Sequence, residues 1–231
     1  MFSEYKYKTE LHAHTSPVSR CSQIPAEDMA EIYSKLGYTG LCITNHFDPT
    51  ALDRNKNDFI EYYINDYNTV RTSGEKLGLS VIMGVELRFT ENMNDYLIFG
   101  VDENDLDEIY SYLERGIVEF YKNFSNEKRV ILQAHPFRDN MERAPVDSID
   151  GIETFNVHPG HNSRVAVAAK YAREHDMLVT CGTDFHHPGH EGLAGILTKN
   201  QPKDSFELAA ALKSRDYLMS VGSNIIIPYE R

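Results

Sequence analysis

Cysteine is scarce in this chain, with three residues among 231, at positions 21, 42 and 181. An odd number of widely spaced cysteines, with no Cys-x-x-Cys pair, argues against a disulfide framework or a structural zinc knuckle. We therefore expect all three thiols to be buried. Long apolar runs are also missing, since no stretch approaches the roughly 20 residues that a membrane-spanning helix needs. The first residues lack the apolar core and small-residue cleavage site of a secretory signal, which predicts a cytoplasmic location.

Positive charge is in short supply. Lys and Arg number 23 against 35 Asp and Glu, which gives a formal net charge of −12. This balance argues against a general nucleic-acid or anionic-membrane surface, because both require clustered positive charge to neutralise phosphate. We therefore expect no long nucleic acid and no membrane as partners, and an anionic substrate would need positive charge at its own site. Metal ions and a few arginines would then supply positive charge locally.

Three common catalytic motifs are absent as well. The sequence has no Gly-x-Ser-x-Gly elbow, no phosphate-binding loop and no Gly-x-Gly-x-x-Gly. Their absence removes the common serine hydrolases, P-loop nucleotide triphosphatases and dinucleotide-binding enzymes from consideration.

Hydrophobic periodicity predicts alternating strands and helices within a single domain of residues 1–231. Apolar residues at helical spacing follow Pro25 and end before Gly37, both typical helix boundaries. Strands alternating with such helices predict βαβ units, and hence an α/β fold with a mostly parallel sheet. The predicted helices cover residues 26–36, 58–77, 105–124, 163–174 and 205–213. The predicted strands include residues 79–89, 95–99, 129–134, 151–156, 177–181 and 223–227.

A histidine pair, His12 and His14, stands close to the N-terminus. Residues two apart on a strand project to the same face, so the two imidazoles can bind one metal ion. Further ligand-type residues end later apolar runs, as expected when the strand ends of a parallel barrel surround one pocket. A mixed nitrogen and oxygen set suits zinc, manganese or iron better than calcium or magnesium. These further residues are His46, Glu86, His135, Asp184 and His186.

Five short segments resemble, in order, the motifs of the polymerase and histidinol phosphatase (PHP) domain family. They are Leu11-His12-Ala13-His14-Thr15, Ile43-Thr44-Asn45-His46, Gly84-Val85-Glu86, Ala134-His135-Pro136 and Gly182-Thr183-Asp184-Phe185-His186. Five ordered motifs are specific where any one would be weak. The resemblance implies a distorted (β/α)7 TIM-like barrel with two or three divalent metal ions (zinc, manganese or iron) at the C-terminal ends of its strands. It also implies hydrolysis of phosphate esters.

Carried over by motif, the resemblance assigns ligands to three metals. The first would be held by His12, His14, Glu86 and Asp184. Glu86 would bridge to a second metal held also by His135, and His46 with His186 would hold a third. Asp95 stands where relatives have a further histidine of the second site, and we expect it to be a ligand rather than a turn residue.

This chain departs from the family pattern near the third site. Asn45 replaces an aspartate of many relatives, and the loop at residues 15–21 lacks their metal-binding aspartate. Cys21 could substitute as a soft ligand, but we expect it to be a small buried thiol.

These observations predict a metal-dependent phosphoesterase whose catalytic residues are Glu86, Asp184, Arg138 and His158. A metal-bridging hydroxide would attack phosphorus while Arg138 neutralises charge, and His158 would be a general acid or a substrate contact. No role is predicted for His161. We expect the partner to be a small phosphorylated substrate, which would be a sugar phosphate, histidinol phosphate or a nucleotide. Three alternatives stay open: a metal-dependent amidohydrolase acting on a C–N bond, a non-catalytic metal-binding regulatory module, and an oligonucleotide exonuclease.

Overall fold

Residues 2–229, which the computed structural model of the protein describes, form twelve strands and six α-helices. The strands are β1 (Tyr7–Glu10), β2 (Gly40–Ile43), β3 (His46–Phe47), β4 (Ser80–Met83), β5 (Val85–Arg88), β6 (Asp95–Phe99), β7 (Val130–Gln133), β8 (Gly151–Asn156), β9 (Leu178–Gly182), β10 (Ala194–Thr198), β11 (Leu218–Val221) and β12 (Asn224–Ile226). The helices are α1 (Ala26–Lys35), α2 (Lys56–Leu77), α3 (Leu106–Ser111), α4 (Gly116–Phe124), α5 (Val165–Glu174) and α6 (Ser205–Lys213).

The strands form two six-stranded sheets. The first has the order β12-β11-β10-β1-β2-β4, and the second has the order β3-β5-β6-β7-β8-β9. Among these strands, five neighbouring pairs are parallel and five are antiparallel. The prediction of a mostly parallel sheet is therefore wrong, and the fold is mixed α/β. Strands β5 and β6, for example, are joined by residues 89–94 alone, too short a connection for the crossover that parallel pairing needs.

Closure of a (β/α)7 barrel is not confirmed, because within residues 2–229 no strand ladder joins the two sheets. At one junction, which we call the β1/β9 seam, the sheets meet through an isolated bridge between Ala13 and Phe185. The His14 N–H donates to the Phe185 carbonyl at 3.1 Å, and the Phe185 N–H donates to the His12 carbonyl at 3.2 Å. The ends of β1 and β9 are thereby held side by side.

The two sheets enclose one apolar core, and the helices cover a second. Alternate residues of a strand point to opposite faces of its sheet. Cys42 and Ile82 of the first sheet pack in one cluster with Leu97 and Leu132 of the second, so the sheets face each other. The intervening residues, such as Ile43, lie in the other cluster together with residues of α1 and α2. None of the helices in residues 2–229 is long and apolar enough to cross a membrane.

Helix α2 begins two residues earlier than predicted. The Asn55 side chain accepts hydrogen bonds from the N–H groups of Asn57 and Asp58, at 3.0 and 3.3 Å, and so caps the helix. Helix α5 begins two residues later than predicted, at Val165, whereas α1 and α6 agree closely with the sequence.

Two predicted elements are each divided in the structure. The helix expected over residues 105–124 is split into α3 and α4, because Gly116 adopts φ +80°, which a continuous α-helix does not allow. The strand expected over 79–89 is split into β4 and β5, which belong to different sheets. Strands β10 and β11, for which we made no prediction, complete the first sheet.

Candidate metal centre

All eight residues predicted as metal ligands are brought to one place. His12 and His14 follow β1, His46 starts β3, Glu86 is in β5, and Asp95 starts β6. The others follow strands β7 and β9. Ligand atoms from these residues form overlapping groups of three, with the atoms of each group within 4.8 Å of one another. The groups are His14, His46 and His186; His12, His135 and Asp184; His12, His14 and Glu86; and His46, Glu86 and Asp95.

Glu86 lies at the centre of this arrangement and is almost completely buried. Its Oε1 lies 3.1 Å from His12 Nε2 and 3.2 Å from His135 Nε2. Its Oε2 lies 2.7 Å from His46 Nδ1 and 3.4 Å from His14 Nε2. Each carboxylate oxygen therefore faces two imidazoles, which is the arrangement that a bridging ligand requires. We call the residues around Glu86 the Glu86 cluster: His12, His14, His46, Glu86, His135 and Asp184.

Although they lie close together, several buried atoms of the Glu86 cluster are not oriented to form a hydrogen bond. They include His12 Nε2, His14 Nε2 and Glu86 Oε2. His135 Nδ1 is a fourth such atom. Each unsatisfied buried polar atom lowers folding stability by about 1–3 kcal/mol, so four of them in one small volume are unusual. A divalent cation would satisfy the first three, and their nitrogen and oxygen donors suit zinc, manganese or iron. The residues present therefore fit a metal ion.

Neighbouring groups orient three of the imidazoles. His12 Nδ1 lies 2.9 Å from Glu153 Oε1, and His186 Nδ1 lies 2.9 Å from the Asp184 carbonyl, so both Nδ1 atoms donate. His14 Nδ1 lies 3.1 Å from Ser19 Oγ, which itself donates to Asn45. These partners place the proton on Nδ1 and leave the lone pair on Nε2, where a metal ligand needs it.

The charges of the cluster favour a bound cation. Burial alone lowers the pKa of His12, but Glu153, Asp184 and Glu86 outweigh it and raise that pKa well above its ordinary value. Burial also disfavours ionised Glu86, yet His12 and His46 hold its pKa well below the usual range. The pKa of His14 is lowered well below its ordinary value by burial and by His186 and His46. His14 therefore presents a neutral imidazole to ionised carboxylates.

Asp95 is close to the cluster and also belongs to an ion pair. Its two carboxylate oxygens accept from Arg88 Nε and Nη2 at 2.7 and 2.8 Å. Asp95 Oδ2 lies 3.7 Å from His135 Nε2. Arg88 thus holds the Asp95 carboxylate in one orientation beside His135. The metal-ligand role of Asp95 stays a prediction.

Asn45 supports the cluster from behind. Its Oδ1 accepts from the Thr15 N–H at 2.7 Å and from Ser19 Oγ at 2.8 Å. Its Nδ2 donates to Asp66 Oδ2 at 2.8 Å. Thr15 Oγ1 donates to the same Asp66 oxygen at 2.5 Å. The amide of Asn45 thus donates where an ionised aspartate would face the like charge of the Asp66 carboxylate.

Cys21 contradicts its prediction. The residue is exposed and lines the cleft above the cluster, whereas Cys42 and Cys181 are buried as expected. Its Sγ lies 3.2 Å from His46 Nε2. Partial burial raises the pKa of the thiol, but His186 and His46 outweigh this effect and lower the pKa to about 6. The expectation failed because sequence periodicity does not reveal which way a loop residue faces.

The cleft above the cluster has a volume of about 450 Å³. Arg138 and His158 both line it, and their predicted contact with substrate stays a prediction. The Gly160 N–H donates to His158 Nδ1 at 3.0 Å, which places the ring proton on Nε2. Burial lowers the pKa of His158 to about 4, so its ring is neutral at pH 7. A neutral ring argues for a substrate contact over a general acid.

Five residues that line the cleft or hold its histidines in place were not predicted from the sequence. Arg20, Arg54 and Arg88 line the cleft. His161, for which no role was predicted, has its Nδ1 3.7 Å from Asp184 Oδ2 and 3.5 Å from Arg138 Nη1. Glu153 is buried, and besides His12 it accepts from the His135 N–H at 3.1 Å. The signal for Glu153 was a single acidic residue inside an otherwise uncharged strand.

Glu10 performs a similar structural role at the β1/β9 seam. Its Oε1 accepts from the N–H groups of Leu11, His12 and Thr183, at 3.1, 3.1 and 2.9 Å. Burial raises the pKa of Glu10, and these hydrogen bonds oppose that shift. Glu10 therefore positions the backbone on both sides of the first ligand pair.

Two of the candidate ligands have unusual backbone conformations. His135 and Asp184 have φ values of +31° and +54°, in a region that residues other than glycine rarely adopt. Such conformations are commonest where a function requires a side chain in one exact direction.

Known proteins are similar to this chain in sequence pattern and in fold. The family model of the PHP domain matches residues 10–215. The fold is similar to that of a two-domain protein from Bacteroides vulgatus that contains a predicted PHP-like metal-dependent phosphoesterase, with a TM-score of 0.63 and 15% identity. That alignment covers 95% of this chain and 66% of the other, so this chain spans just under two thirds of the two-domain protein. No relative among the curated proteins matches the chain.

Two further solved structures are similar. One is a proposed metal-dependent phosphoesterase from Bifidobacterium adolescentis, with a TM-score of 0.55, 17% identity and coverage of 89% of this chain and 95% of that one. The other is an amidohydrolase from Chromobacterium violaceum with bound sulfate and no metal, with a TM-score of 0.54 and 13% identity over 96% of this chain and 98% of that one. At these identities the likeness concerns the fold alone.

Proposed function

The chain belongs to the PHP domain family, and from that premise we propose that it hydrolyses phosphate esters of a small substrate with the help of two or three divalent metal ions. The single observation that carries the proposal is the Glu86 cluster at the floor of a cleft whose walls bear arginines. The cluster would hold the metals, and the arginines would hold the phosphate.

The size and charge of the cleft support a small anionic substrate. A volume of about 450 Å³ is in the range of small-molecule sites, and it would take one sugar phosphate or nucleotide. Arg20, Arg54, Arg88 and Arg138 bring positive charge to a chain whose formal net charge is −12. Acidic residues elsewhere would repel a long polyanion.

The proposed chemistry divides between the metals and the side chains. Bound divalent metals lower the pKa of water and neutralise charge on a phosphoryl group. Glu86 and Asp184 would hold them, with His12, His14 and His135 supplying nitrogen ligands. Arg138 would bind and orient the phosphate through its planar fork of N–H donors. His158 Nε2–H would donate a hydrogen bond to the substrate beside it.

The cleft favours a phosphoester over a C–N bond. Amidohydrolases with histidine-rich barrels commonly use a lysine to bridge two metals, and no lysine lines the cleft within residues 2–229. Arg88 is paired with Asp95, but Arg20, Arg54 and Arg138 suit phosphate oxygens, which accept the paired N–H donors of a guanidinium group. We therefore place metal-dependent phosphoester hydrolysis ahead of amide hydrolysis.

A substrate panel tests the proposal. The purified protein would be stripped with a chelator and reloaded separately with Mn²⁺, Zn²⁺ and Fe²⁺. Each form would be assayed with small phosphomonoesters, a dinucleotide, a long single-stranded DNA and an N-acyl amino acid. We expect chelation to abolish hydrolysis, reloading to restore it, and phosphomonoesters to be cleaved in preference to the long strand.

Variants locate the activity. Glu86→Ala should abolish turnover, and Arg138→Ala should lower kcat/KM by about 10- to 100-fold, since one charge-assisted contact contributes about 1.5–3 kcal/mol. His175→Ala, a change at an exposed histidine outside the cleft, is the matched control. Hydrolysis of the amide alone would overturn the phosphoesterase proposal, and undiminished activity in metal-free protein would overturn the metal requirement.

A further inference from the structure

Cys21 stands between the cleft and two of the candidate ligands. Its Sγ lies 3.2 Å from His46 Nε2, and it also interacts with the His186 imidazole. The other ring nitrogen of His46, Nδ1, lies 2.7 Å from Glu86 Oε2. One nitrogen of His46 thus faces the Glu86 cluster, and the other faces the thiol.

A second observation concerns His14. Its Nε2 is completely buried and has no hydrogen-bond partner. Ring nitrogens of His14, His46 and His186 lie within 4.8 Å of one another. The His14 ring centroid is 4.2 Å from that of His186 and 4.5 Å from that of His46. Three imidazoles therefore converge beside the Cys21 thiol, and the buried Nε2 of His14 lies between this group and Glu86, 3.4 Å from Glu86 Oε2.

We propose that Cys21, His46 and His186 form a thiolate-containing metal site that takes zinc, adjoining the Glu86 cluster at His14. The proposal rests on the proposed function only in that both require metal at this cleft. On binding, the S–H bond breaks, a Zn–S bond forms and the proton passes to solvent. Cysteine thiolates and histidine imidazoles are both ligands that zinc takes in proteins.

The identity of the sulfur ligand sets the metal preference of this site. Soft thiolates select zinc, whereas carboxylates suit magnesium, calcium and manganese. An aspartate at position 21 would replace the soft sulfur ligand with a hard oxygen ligand. A serine there would remove the charged ligand from the site. The proposal therefore predicts that zinc, and not manganese, fills this position in the wild-type protein.

Cobalt substitution and thiol labelling test the proposal on the full chain. Apo protein would be titrated with Co²⁺, which gives a near-ultraviolet thiolate-to-metal absorption band when sulfur is a ligand. In parallel, apo protein would be alkylated with iodoacetamide, with and without Zn²⁺, and the modified peptides quantified by mass spectrometry. Buried Cys42 and Cys181 are internal controls for unfolding.

The wild-type protein should show the cobalt band, and zinc should protect Cys21 from alkylation. Cys21→Ser should lose the band and bind one zinc equivalent about 100-fold more weakly, because one of several ligands to a structural zinc accounts for a few kcal/mol. Cys21→Asp should keep the metal count and shift the preference of that equivalent towards manganese. Unchanged near-ultraviolet circular dichroism in both variants would show that their fold is retained.

Two results would overturn the inference. If Co²⁺ binds without a thiolate band, or if Cys21 is alkylated equally fast with and without zinc, sulfur is not a ligand. Equal labelling would instead identify Cys21 as a free thiol activated by His46. Either result leaves the Glu86 cluster and its hydrolysis untouched, whereas failure of the proposed function would appear as loss of all turnover with the cobalt band intact.

Discussion

Asp66 couples folding stability to pH at a position behind the metal centre. Its carboxylate accepts hydrogen bonds from Thr15 and Asn45, and the side chain is buried. Burial raises the pKa of Asp66 from 3.8 to about 6, although these two hydrogen bonds oppose the shift. The folded protein thus holds this proton more tightly than the unfolded chain does.

The sign and size of the effect follow from linkage. A carboxyl group whose pKa is raised on folding contributes stability that is fully present below the unfolded pKa, and this contribution is lost as the pH rises through the folded pKa. With pKa values of 3.8 unfolded and about 6 folded, the contribution falls by about 1.3 kcal/mol between pH 5 and pH 7. Asp66→Asn removes the titration and keeps an oxygen that can accept from Thr15 and Asn45.

The assay is urea unfolding of metal-free wild type and Asp66→Asn at pH 5, 6 and 7. Any titration of the Glu86 cluster occurs in both proteins and cancels in the difference. We expect the stability of Asp66→Asn relative to wild type to rise by about 1.3 kcal/mol from pH 5 to pH 7. Glu61→Gln, an exposed carboxyl change on the same helix, is the control.

A difference that does not vary with pH would refute the reasoning, because Asp66 would then bind its proton equally in both states. A relative stability that falls with pH would show that the hydrogen bonds outweigh burial. In either case the energetic description of the network behind His14 would be wrong.

Three further outcomes are expected. Glu153→Gln should weaken metal binding by about 10- to 100-fold, measured by competition with a chelator, because Glu153 orients His12; equal affinities would contradict this. Gly182→Ala should lower stability by about 1–3 kcal/mol in urea unfolding, because the added Cβ would lie 2.5 Å from His12 Cβ and from a Glu153 oxygen; a neutral effect would mean the seam relaxes freely. Zinc at 100 times its Kd should stabilise the apo protein by about 2.7 kcal/mol in the same measurement; no shift would mean that the site is not coupled to folding.

The candidate ligands could be predicted because each is marked locally. His46, Glu86 and Asp184 follow or interrupt short apolar runs, and such runs identify strand ends whatever their partners are. Helix α1 was similarly marked by its boundary residues, Pro25 and Gly37. These signals depend only on neighbours in the sequence.

The sheet pairing and the wall of the cleft could not be predicted in this way. Whether β6 is parallel or antiparallel to β5 depends on the path of the connecting chain, which periodicity does not record. Arg20 and Arg54 look like surface arginines until the fold places both at the cleft. Cys21 was misassigned for the same reason, because a thiol has no sequence signature of the face it occupies.

The β1/β9 seam has a consequence for the order of events during synthesis. Glu10 and Thr183, which join across it, are separated by 173 residues. Contacts between such distant segments carry a large loop-closure entropy and form after local structure. His12 and His14 therefore leave the ribosome long before Asp184 and His186 exist to complete the site. Loading of the proposed metals would therefore be a late step of biogenesis, because it would follow translation of β9 and join residues from the two ends of the domain.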